Sequence, residues 1–355
     1  MYETESQLQK LSGAILLLIL LAGLATACTP QQQSRDENYL TRSRILMGTP
    51  LTITVQTGDQ RIEAVEEALD EVARIEASIS TWRDDSVFAK INREAVGTPV
   101  EIDPEIASLL ARTIEWSEIT NGAFDPAAGR VLFAWDLRGD GRVPTDEEIE
   151  NARALSGAEH LRVDLADYTA TREVDLLIEE GGFGKGWALD HAAEILRASG
   201  VEQAVLDFGG QVTIFGAEPI AVGIAHPEDR MRPAVELQIT KGSIATSSGS
   251  QRSFESDGRR YSHLFDPRTG RALPPRGSVT VIHETGLDSD ILATALYVLG
   301  PDEGLEWAEA RDLEAIFIVP SAEGGWDVIS TEEADRSVPI RSLDREFKIE
   351  RNQDD

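Results

Sequence analysis

The stretch SHLFDPRTG, residues 262–270, combines side chains that could move a proton. His263 comes just before a turn that Asp266 and Pro267 would start, and Gly270 can adopt the positive φ that such turns need. A histidine beside an acid is a candidate proton acceptor, because its ordinary pKa lies near neutral pH. A lone histidine here could equally be structural, so these residues leave both interpretations open.

A second stretch, DSDILATALYVLG, places Asp290 and Thr294 four residues apart. On a helix this spacing puts both side chains on one face, one turn from each other. A carboxylate and a hydroxyl are hard oxygen ligands, which suit Mg²⁺ or Ca²⁺ better than zinc. The competing interpretation is an aspartate near a helix N-terminus and a threonine that is simply packed.

The glycine-rich stretch EEGGFGKGWALD, residues 179–190, resembles loops that bind phosphate. It fits neither of two known motifs: Gly186 follows Lys185 where a Walker A loop needs Ser or Thr, and Trp187 replaces the third glycine of the dinucleotide fingerprint. Glycines still let backbone N–H groups approach an anion, and a helix N-terminus adds positive charge. The alternative is a tight loop that uses its glycines only for their dihedral angles.

The elements that must position these stretches alternate irregularly along the chain. Apolar residues recur at helical spacing in residues 61–80, 104–122, 144–157, 186–200 and 288–300. Shorter β-type runs occupy residues 45–56, 203–209, 211–216, 220–226, 234–240 and 278–284. The order has no regular βαβ repeat, which predicts an α+β fold with one large mixed α/β domain.

The composition limits the ligands that the protein can take. The 355 residues carry a formal net charge of −30, from 63 acidic and 33 basic side chains, and 41% of them are hydrophobic. Such a surface repels nucleic acid and anionic lipid, so we expect no nucleic-acid partner. An anionic ligand would need a metal ion, lysine or backbone amides at its own site.

The N-terminus predicts export. Seventeen largely apolar residues, 11–27, end in ATAC at Cys28, which is the only cysteine and so forms no internal disulfide. This pattern resembles a bacterial lipoprotein signal, with an uncleaved anchor helix as the alternative. We therefore expect a periplasm-facing protein of the bacterial cell envelope, bound to the membrane through a lipid on Cys28.

The expected domain organisation follows from this signal. Residues 1–27 are predicted to be the signal peptide and residues 28–40 a polar, lipid-anchored tether. Residues 41–330 are predicted to form the one large domain that carries the candidate site, and the charged, aperiodic residues 331–355 are predicted to be a loose acidic tail.

Seven stretches occur in an order that resembles the FAD:protein FMN transferase family, the ApbE-type flavin transferases. The resemblance runs from about Ile45 to Ile329. It implies a flavin-transferase domain with FAD in a cleft between sheet and helices. The stretches are MGT (47–49), STWRDDSVFAKIN (80–92), NGAFDPAAG (121–129), GGFGKGWALD (181–190), FGGQVTIFG (208–216), SHLFDPRTG (262–270) and DSDILATALYVLG (288–300).

The resemblance also implies the reaction. Family members split FAD with the help of Mg²⁺, attach FMN through a phosphoester to a threonine of an acceptor protein, and release AMP. The acceptors are typically subunits of membrane redox complexes that carry a Ser/Thr-Gly-Ala-Thr pattern. In this chain LSGAEH has Glu159 where that threonine must stand, so we do not expect self-modification.

The family motifs assign roles to individual residues. The resemblance implies metal ligands at Asp290 and Thr294, with the carbonyl of Gly184 replacing that of the family's alanine. It places His263 and Asp266 near the reacting phosphates. We take His263 as the first candidate for the catalytic base, with Asp266 or Asp290 as alternatives. The implied cofactor contacts are Met47, Trp82, Asp125, Gly182, Lys185, Asp190 and Gly210.

One departure and several alternative functions stay open at this stage. The family usually has Asp-Leu before the glycines, where this chain has Glu179 and Glu180. The same loop and metal would also serve an FAD pyrophosphatase that releases FMN and AMP. Two alternatives without catalysis are a periplasmic flavin-binding lipoprotein and a structural envelope lipoprotein.

Overall fold

The computed structural model describes residues 39–58, 61–249, 253–256 and 258–350. Within these ranges the strands are β1 Tyr39–Leu46, β2 Thr49–Gln56, β3 Val100–Glu101, β4 Leu161–Asp164, β5 Thr169–Arg172, β6 Ala204–Phe208, β7 Gln211–Phe215, β8 Ile220–His226, β9 Asp229–Ile239, β10 Gly242–Ser248, β11 Ser253–Ser256, β12 Arg259–Ser262, β13 Phe265–Asp266, β14 Arg271–Ala272, β15 Ser278–His283, β16 Glu314–Pro320, β17 Trp326–Ser330, β18 Ile340–Ser342 and β19 Phe347–Glu350. The helices are α1 Arg61–Ile79, α2 Val87–Arg93, α3 Pro104–Ile119, α4 Gly129–Ala134, α5 Asp146–Ala154, α6 Gly184–Ala198, α7 Gly286–Leu299, α8 Pro301–Glu309 and α9 Glu332–Ser337.

A nine-stranded sheet in the order β1-β2-β6-β7-β10-β15-β16-β17-β19 forms the centre of the fold. Neighbours from β2 to β17 pair antiparallel, and β17 pairs parallel with β19. Both faces of the sheet are buried. On β16, Ala315 and Phe317 belong to one hydrophobic core, whereas Ile316 and Ile318 belong to the other. The two cores follow from the alternation of side chains along each strand.

Helices cover the first face. Helix α1 buries a stripe of apolar residues at helical spacing, including Val65, Leu69 and Val72. Helices α6 and α7 meet at two glycines: a Cβ added to Gly186 would lie 2.0 Å from the carbonyl oxygen of Gly286. Only glycine allows two backbones to come this close. The glycine-rich stretch therefore lies directly against the start of α7.

The second face is covered by the three-stranded sheet β18-β9-β8, whose Val235 and Leu237 are fully buried. A smaller cluster around Trp135 joins α4 and α5 to apolar side chains such as Phe254 and Tyr261 on β11 and β12. Helices on one side and a second sheet on the other confirm the predicted α+β fold class.

The predicted loose tail is corrected by the structure. Thr331 caps α9 by accepting a hydrogen bond from the N–H of Ala334, and β19 extends the central sheet. Phe347 of β19 is only 4% exposed. The folded domain predicted to end at residue 330 therefore continues to Glu350. The strand was missed because its apolar residues alternate with charges over only four positions, which is too short for a clear pattern.

The predicted signal peptide, Cys28 and residues 28–38 of the tether lie outside the described residues. Within the described part of the chain, no helix combines the length and the hydropathy that a membrane crossing requires.

Candidate active site

A cleft with two adjoining chambers lies where α6 and α7 meet the central sheet. The first chamber has a volume of about 270 Å³ and the second about 610 Å³. The chambers share several wall residues, so they adjoin each other along one side. The shared residues are Leu132, Glu179, Gly181, Lys185, Gly209, Arg230 and His263.

Most of the residues predicted to form the site line this cleft. The first chamber is lined by Asp125, Gly182, Lys185, Gly210, His263, Asp290 and Thr294. The second is lined by Met47, Trp82, Gly184, Lys185 and His263. Among the described residues, Asp190 and Asp266 are the two predicted site residues that line neither chamber.

Helix α7 presents Asp290 and Thr294 to the first chamber, as their spacing predicts. Asp290 is buried and accepts a hydrogen bond from the N–H of Gly186, at 3.2 Å. Burial raises the pKa of its carboxyl group, and the charge of Lys185 opposes that rise. Across the chamber, a Cβ added to Gly182 would lie 3.4 Å from Thr294 Oγ1. The glycine loop and α7 therefore face each other at close range.

This arrangement fits a hard divalent cation. A buried carboxylate is costly without a compensating charge, and Asp290 and Thr294 supply two oxygen atoms on one wall. Gly184, the third predicted ligand, lines the second chamber rather than the first. The structure thus brings two of the three predicted ligands to one chamber and places the third on the adjoining wall.

A second group of potential ligands lies elsewhere, on α1, α3 and α6. Oxygen and nitrogen atoms of Glu71, Glu105 and His191 lie within 4.8 Å of one another. Arg74 already pairs with these acids, at 2.6 Å from Glu71 and 3.0 Å from Glu105. Because the guanidinium supplies the positive charge, this group is an ion-pair cluster rather than a good metal site.

His263 lies between β12 and β13 and lines both chambers, which is the position expected for a group that acts on the bond between the two halves of a ligand. Asp266 is different. It accepts hydrogen bonds from the backbone N–H of Arg268 at 2.9 Å and from its Nε at 2.9 Å. The turn and Arg268 thus occupy the carboxylate of Asp266 in this structure, and its catalytic role stays a prediction.

Asp190, for which the resemblance implies cofactor contact, binds the backbone of a neighbouring helix in this structure. Its carboxylate accepts hydrogen bonds from the N–H groups of Gly286 at 2.5 Å and Leu287 at 2.9 Å. These are the first residues of α7, whose N–H groups have no partner within the helix. Asp190 thus anchors the start of the helix that carries Asp290.

Asp125 lines the first chamber, as predicted, and accepts a hydrogen bond from the N–H of Ala127 at 2.8 Å. Burial, together with a smaller effect of the charge of Glu159, raises the pKa of Asp125 to about 7. The group therefore changes charge near neutral pH.

Arg138 is a wall residue of the second chamber that the sequence did not indicate. Arg138 lines the second chamber and pairs with Glu179, which lines both chambers. Thr81 Oγ1 donates a hydrogen bond to Glu180 at 2.6 Å. The sequence drew attention only to the two glutamates, as a departure from the family. Arg138 lies 41 residues away from Glu179 and carries no local signal of this pairing.

The chain matches one known family over most of its length. The family model described as the ApbE family matches residues 47–317. A curated FAD:protein FMN transferase of Vibrio cholerae serotype O1 is 30% identical over 325 residues, which cover 88% of this chain and 94% of that protein. Another, of Treponema pallidum, is 29% identical over 360 residues, or 94% of this chain and 97% of that protein.

Solved structures agree with the sequence comparison. The flavinyl transferase ApbE of Pseudomonas stutzeri, in its apo form, superposes with a TM-score of 0.76 at 29% identity and covers 84% of this chain and 96% of its own. The ApbE protein of Thermotoga maritima also gives a TM-score of 0.76, at 30% identity, and covers 84% and 98%. The fold and the order of motifs therefore agree with one family.

Proposed function

The chain belongs to the ApbE family, and on this premise we propose that it is a magnesium-dependent FAD:protein FMN transferase. In the proposed reaction the hydroxyl oxygen of an acceptor threonine attacks the phosphorus of the FMN half of FAD. A phosphoester bond forms, the bond between the two phosphates breaks, and AMP leaves with its electron pair. The hydroxyl proton passes to a base of the enzyme.

The observation that carries this proposal is the two-chamber cleft with charged groups at its junction. Trp82 and Met47 line the second chamber, where the flavin ring would lie. Lys185 and the glycine loop at the N-terminus of α6 line the junction, where the diphosphate would lie. The adenosine half would occupy the first chamber. FAD is a dianion, so this local positive charge offsets the acidic surface.

Asp290 and Thr294 would hold the magnesium ion, with the carbonyl of Gly184 as the proposed third ligand. When bound, the ion would neutralise charge that builds up on the phosphates. The protein's own contribution is to position the diphosphate between α6 and α7 and to surround it with N–H groups, since phosphoryl transfer depends mainly on positioning and electrostatics.

We assign the base role to His263. It lines both chambers and therefore lies beside the expected position of the diphosphate. Asp290 is the alternative, although a carboxylate that binds a cation is a weak base. We do not assign the base role to Asp266, because its carboxylate forms an ion pair with Arg268.

The acceptor and the location also belong to this proposal. We propose that the lipid on Cys28 anchors the enzyme to the membrane on its periplasmic side. The acceptors there would be flavoprotein subunits of membrane redox complexes that carry the Ser/Thr-Gly-Ala-Thr pattern. The N-terminal sequence and the family resemblance support this assignment.

The proposal is tested by mixing a soluble form that starts at Gln31 with FAD, Mg²⁺ and an acceptor that carries the pattern. Intact-mass spectrometry then measures whether the acceptor gains one FMN. We expect a gain that requires Mg²⁺ and disappears when the acceptor threonine is changed to valine. Release of free FMN and AMP with an unmodified acceptor would favour an FAD pyrophosphatase. FAD that stays intact would indicate a binding protein.

A further inference from the structure

Arg138 links the aromatic wall of the second chamber to the acid at the junction of the two chambers. We propose that Arg138 is a positioning residue of the FAD site, which holds the Trp82 ring in place and compensates the charge of Glu179 beside the diphosphate. The proposal depends on the proposed function only for the identity of the ligand, FAD.

The first part of the argument is the contact between Arg138 and Trp82. The guanidinium carbon lies 4.7 Å from the centroid of the Trp82 ring, which is a cation–π distance. Arg138 Nη1 also donates a hydrogen bond to the carbonyl oxygen of Thr81 at 3.3 Å, and Nη2 donates to Thr81 Oγ1. Trp82 is 61% exposed, so few other contacts fix this large side chain. Arg138 holds both the ring and the backbone that carries it.

The second part is the pairing with Glu179. Its Oε2 accepts a hydrogen bond from Arg138 Nη2, and the side chain lines both chambers. Glu180 lies next to it and accepts hydrogen bonds from the N–H of Thr81 at 3.1 Å and from Thr81 Oγ1 at 2.6 Å. Burial and the charge of Glu180 raise the pKa of Glu179 to about 7, whereas Arg138 lowers it. Glu179 and Glu180 are therefore two partly buried acids beside the expected position of the diphosphate.

The third part is the charge balance at the junction. Lys185, Arg230 and His263 line both chambers together with Glu179. With Arg138 in place, the negative charge of Glu179 is compensated, so Lys185 and Arg230 can act on the diphosphate. Without Arg138 the pKa of Glu179 would rise further, so its carboxylate would be charged and would repel the same phosphates only at alkaline pH. FAD affinity is therefore measured at alkaline pH. The pairing with Arg138 explains how the chain tolerates Glu179 beside the expected position of the diphosphate.

The test uses Arg138→Met, which keeps most of the side-chain length and removes the charge. We expect the Kd for FAD, measured by fluorescence titration without acceptor, to rise about tenfold. In the transfer assay KM for FAD should rise by a similar factor, whereas kcat should change by less than about threefold, because the positioning of reacting atoms by α7 is unaffected.

A second variant separates charge compensation from general structural damage. In the double variant Arg138→Met with Glu179→Gln, the uncompensated charge is gone, so we expect the FAD affinity to return to within about threefold of the wild type. Arg142→Met is the matched control, since Arg142 pairs with Glu148 near the protein surface and lines neither chamber of the described structure. It should leave FAD affinity and the thermal midpoint unchanged.

Two results would overturn the inference. One is an Arg138→Met protein that is folded, by its thermal midpoint, and binds FAD with wild-type affinity. The other is a double variant that binds FAD no better than Arg138→Met, which would overturn the charge compensation of Glu179 by Arg138. If the wild type binds FAD but transfers no FMN, the proposed function fails, and the binding measurements still decide the role of Arg138.

Discussion

The two chambers of the cleft are built in different ways. The first depends on backbone contacts between α6 and α7, where Gly186 meets Gly286 and Asp190 binds the N–H groups of Gly286 and Leu287. The second depends on side chains from separate segments, with Arg138 contacting both Trp82 and Glu179. Backbone contacts cannot shift without moving a helix, whereas a side-chain network can change one residue at a time.

This difference suggests a division of roles. The rigid first chamber would fix the reacting phosphates, and the second would determine how tightly the flavin half binds. Variants in the first chamber should therefore reduce kcat or stability, and variants in the second should mainly raise KM for FAD. The following predictions test this division, beginning with the largest expected effect.

Asp290→Asn should have the largest effect on catalysis. The substitution keeps the size of the side chain but removes the charge that would hold the metal ion, so we expect the rate of FMN transfer to fall about 10³-fold. The rate is measured by intact-mass spectrometry of the acceptor over a range of Mg²⁺ concentrations. Activity near the wild-type level at low Mg²⁺ would contradict the metal assignment.

Thr294 offers a matched pair of control variants for the same site. Thr294→Ser keeps the hydroxyl oxygen and should retain most of the activity. Thr294→Val keeps the shape but removes that oxygen, so a higher Mg²⁺ concentration should be needed for half-maximal rate. Equal Mg²⁺ dependence of the two variants would show that this oxygen does not contribute to metal binding.

Gly186→Ala should have the largest effect on stability. The added Cβ would lie 2.0 Å from the carbonyl oxygen of Gly286, and neither backbone can move without separating α6 from α7. We expect the free energy of unfolding to fall by about 3 kcal/mol, measured by denaturant titration. Gly182→Ala is the control: its Cβ would meet Thr294 at 3.4 Å, so the loss should be less than about 1 kcal/mol.

His263→Ala should lower kcat about 100-fold and leave the Kd for FAD nearly unchanged, because general base catalysis contributes roughly this factor. The measurement is a single-turnover experiment with saturating FAD and acceptor. His263→Gln should be as inactive as the alanine variant, since an amide cannot take the proton. Transfer at nearly the wild-type rate in either variant would remove His263 from the base role.

The contrast between contacts within one helix and contacts between distant segments also explains which site residues the sequence could predict. Asp290 and Thr294 are four residues apart on one helix, so their spacing alone indicated a shared face. The resemblance over seven ordered stretches indicated further lining residues, such as Trp82, Lys185 and His263, and the family match confirms the family. Arg138 was missed because its partners come from segments that meet only in the folded protein.

Asp190 and Asp266 are instructive for a different reason. The motifs predicted both acids as site residues, but a motif cannot tell an acid that contacts the ligand from one that binds the backbone or a neighbouring side chain. Here the N–H groups of α7 bind Asp190 and the side chain of Arg268 binds Asp266. Residues 340–350 were missed because strands this short acquire their stability from the sheet edge that they join.

Trp82→Ala should have the smallest effect of the series. The substitution changes only the second chamber. Stacking between aromatic rings contributes about 1 kcal/mol, so the KM for FAD should rise about fivefold while kcat stays within about twofold of the wild type. The thermal midpoint should not change, because Trp82 is 61% exposed. Trp82→Phe should recover most of the affinity, since it restores an aromatic face.

Phe133→Ala is the matched control for Trp82, because Phe133 is an aromatic residue that is 70% exposed and lines neither chamber of the described structure. It should leave both KM and kcat unchanged. If Trp82→Ala instead lowered kcat as strongly as His263→Ala, the flavin wall would take part in aligning the phosphates. The two chambers would then act as one unit, and the division between a rigid reacting chamber and an adjustable binding chamber would be wrong.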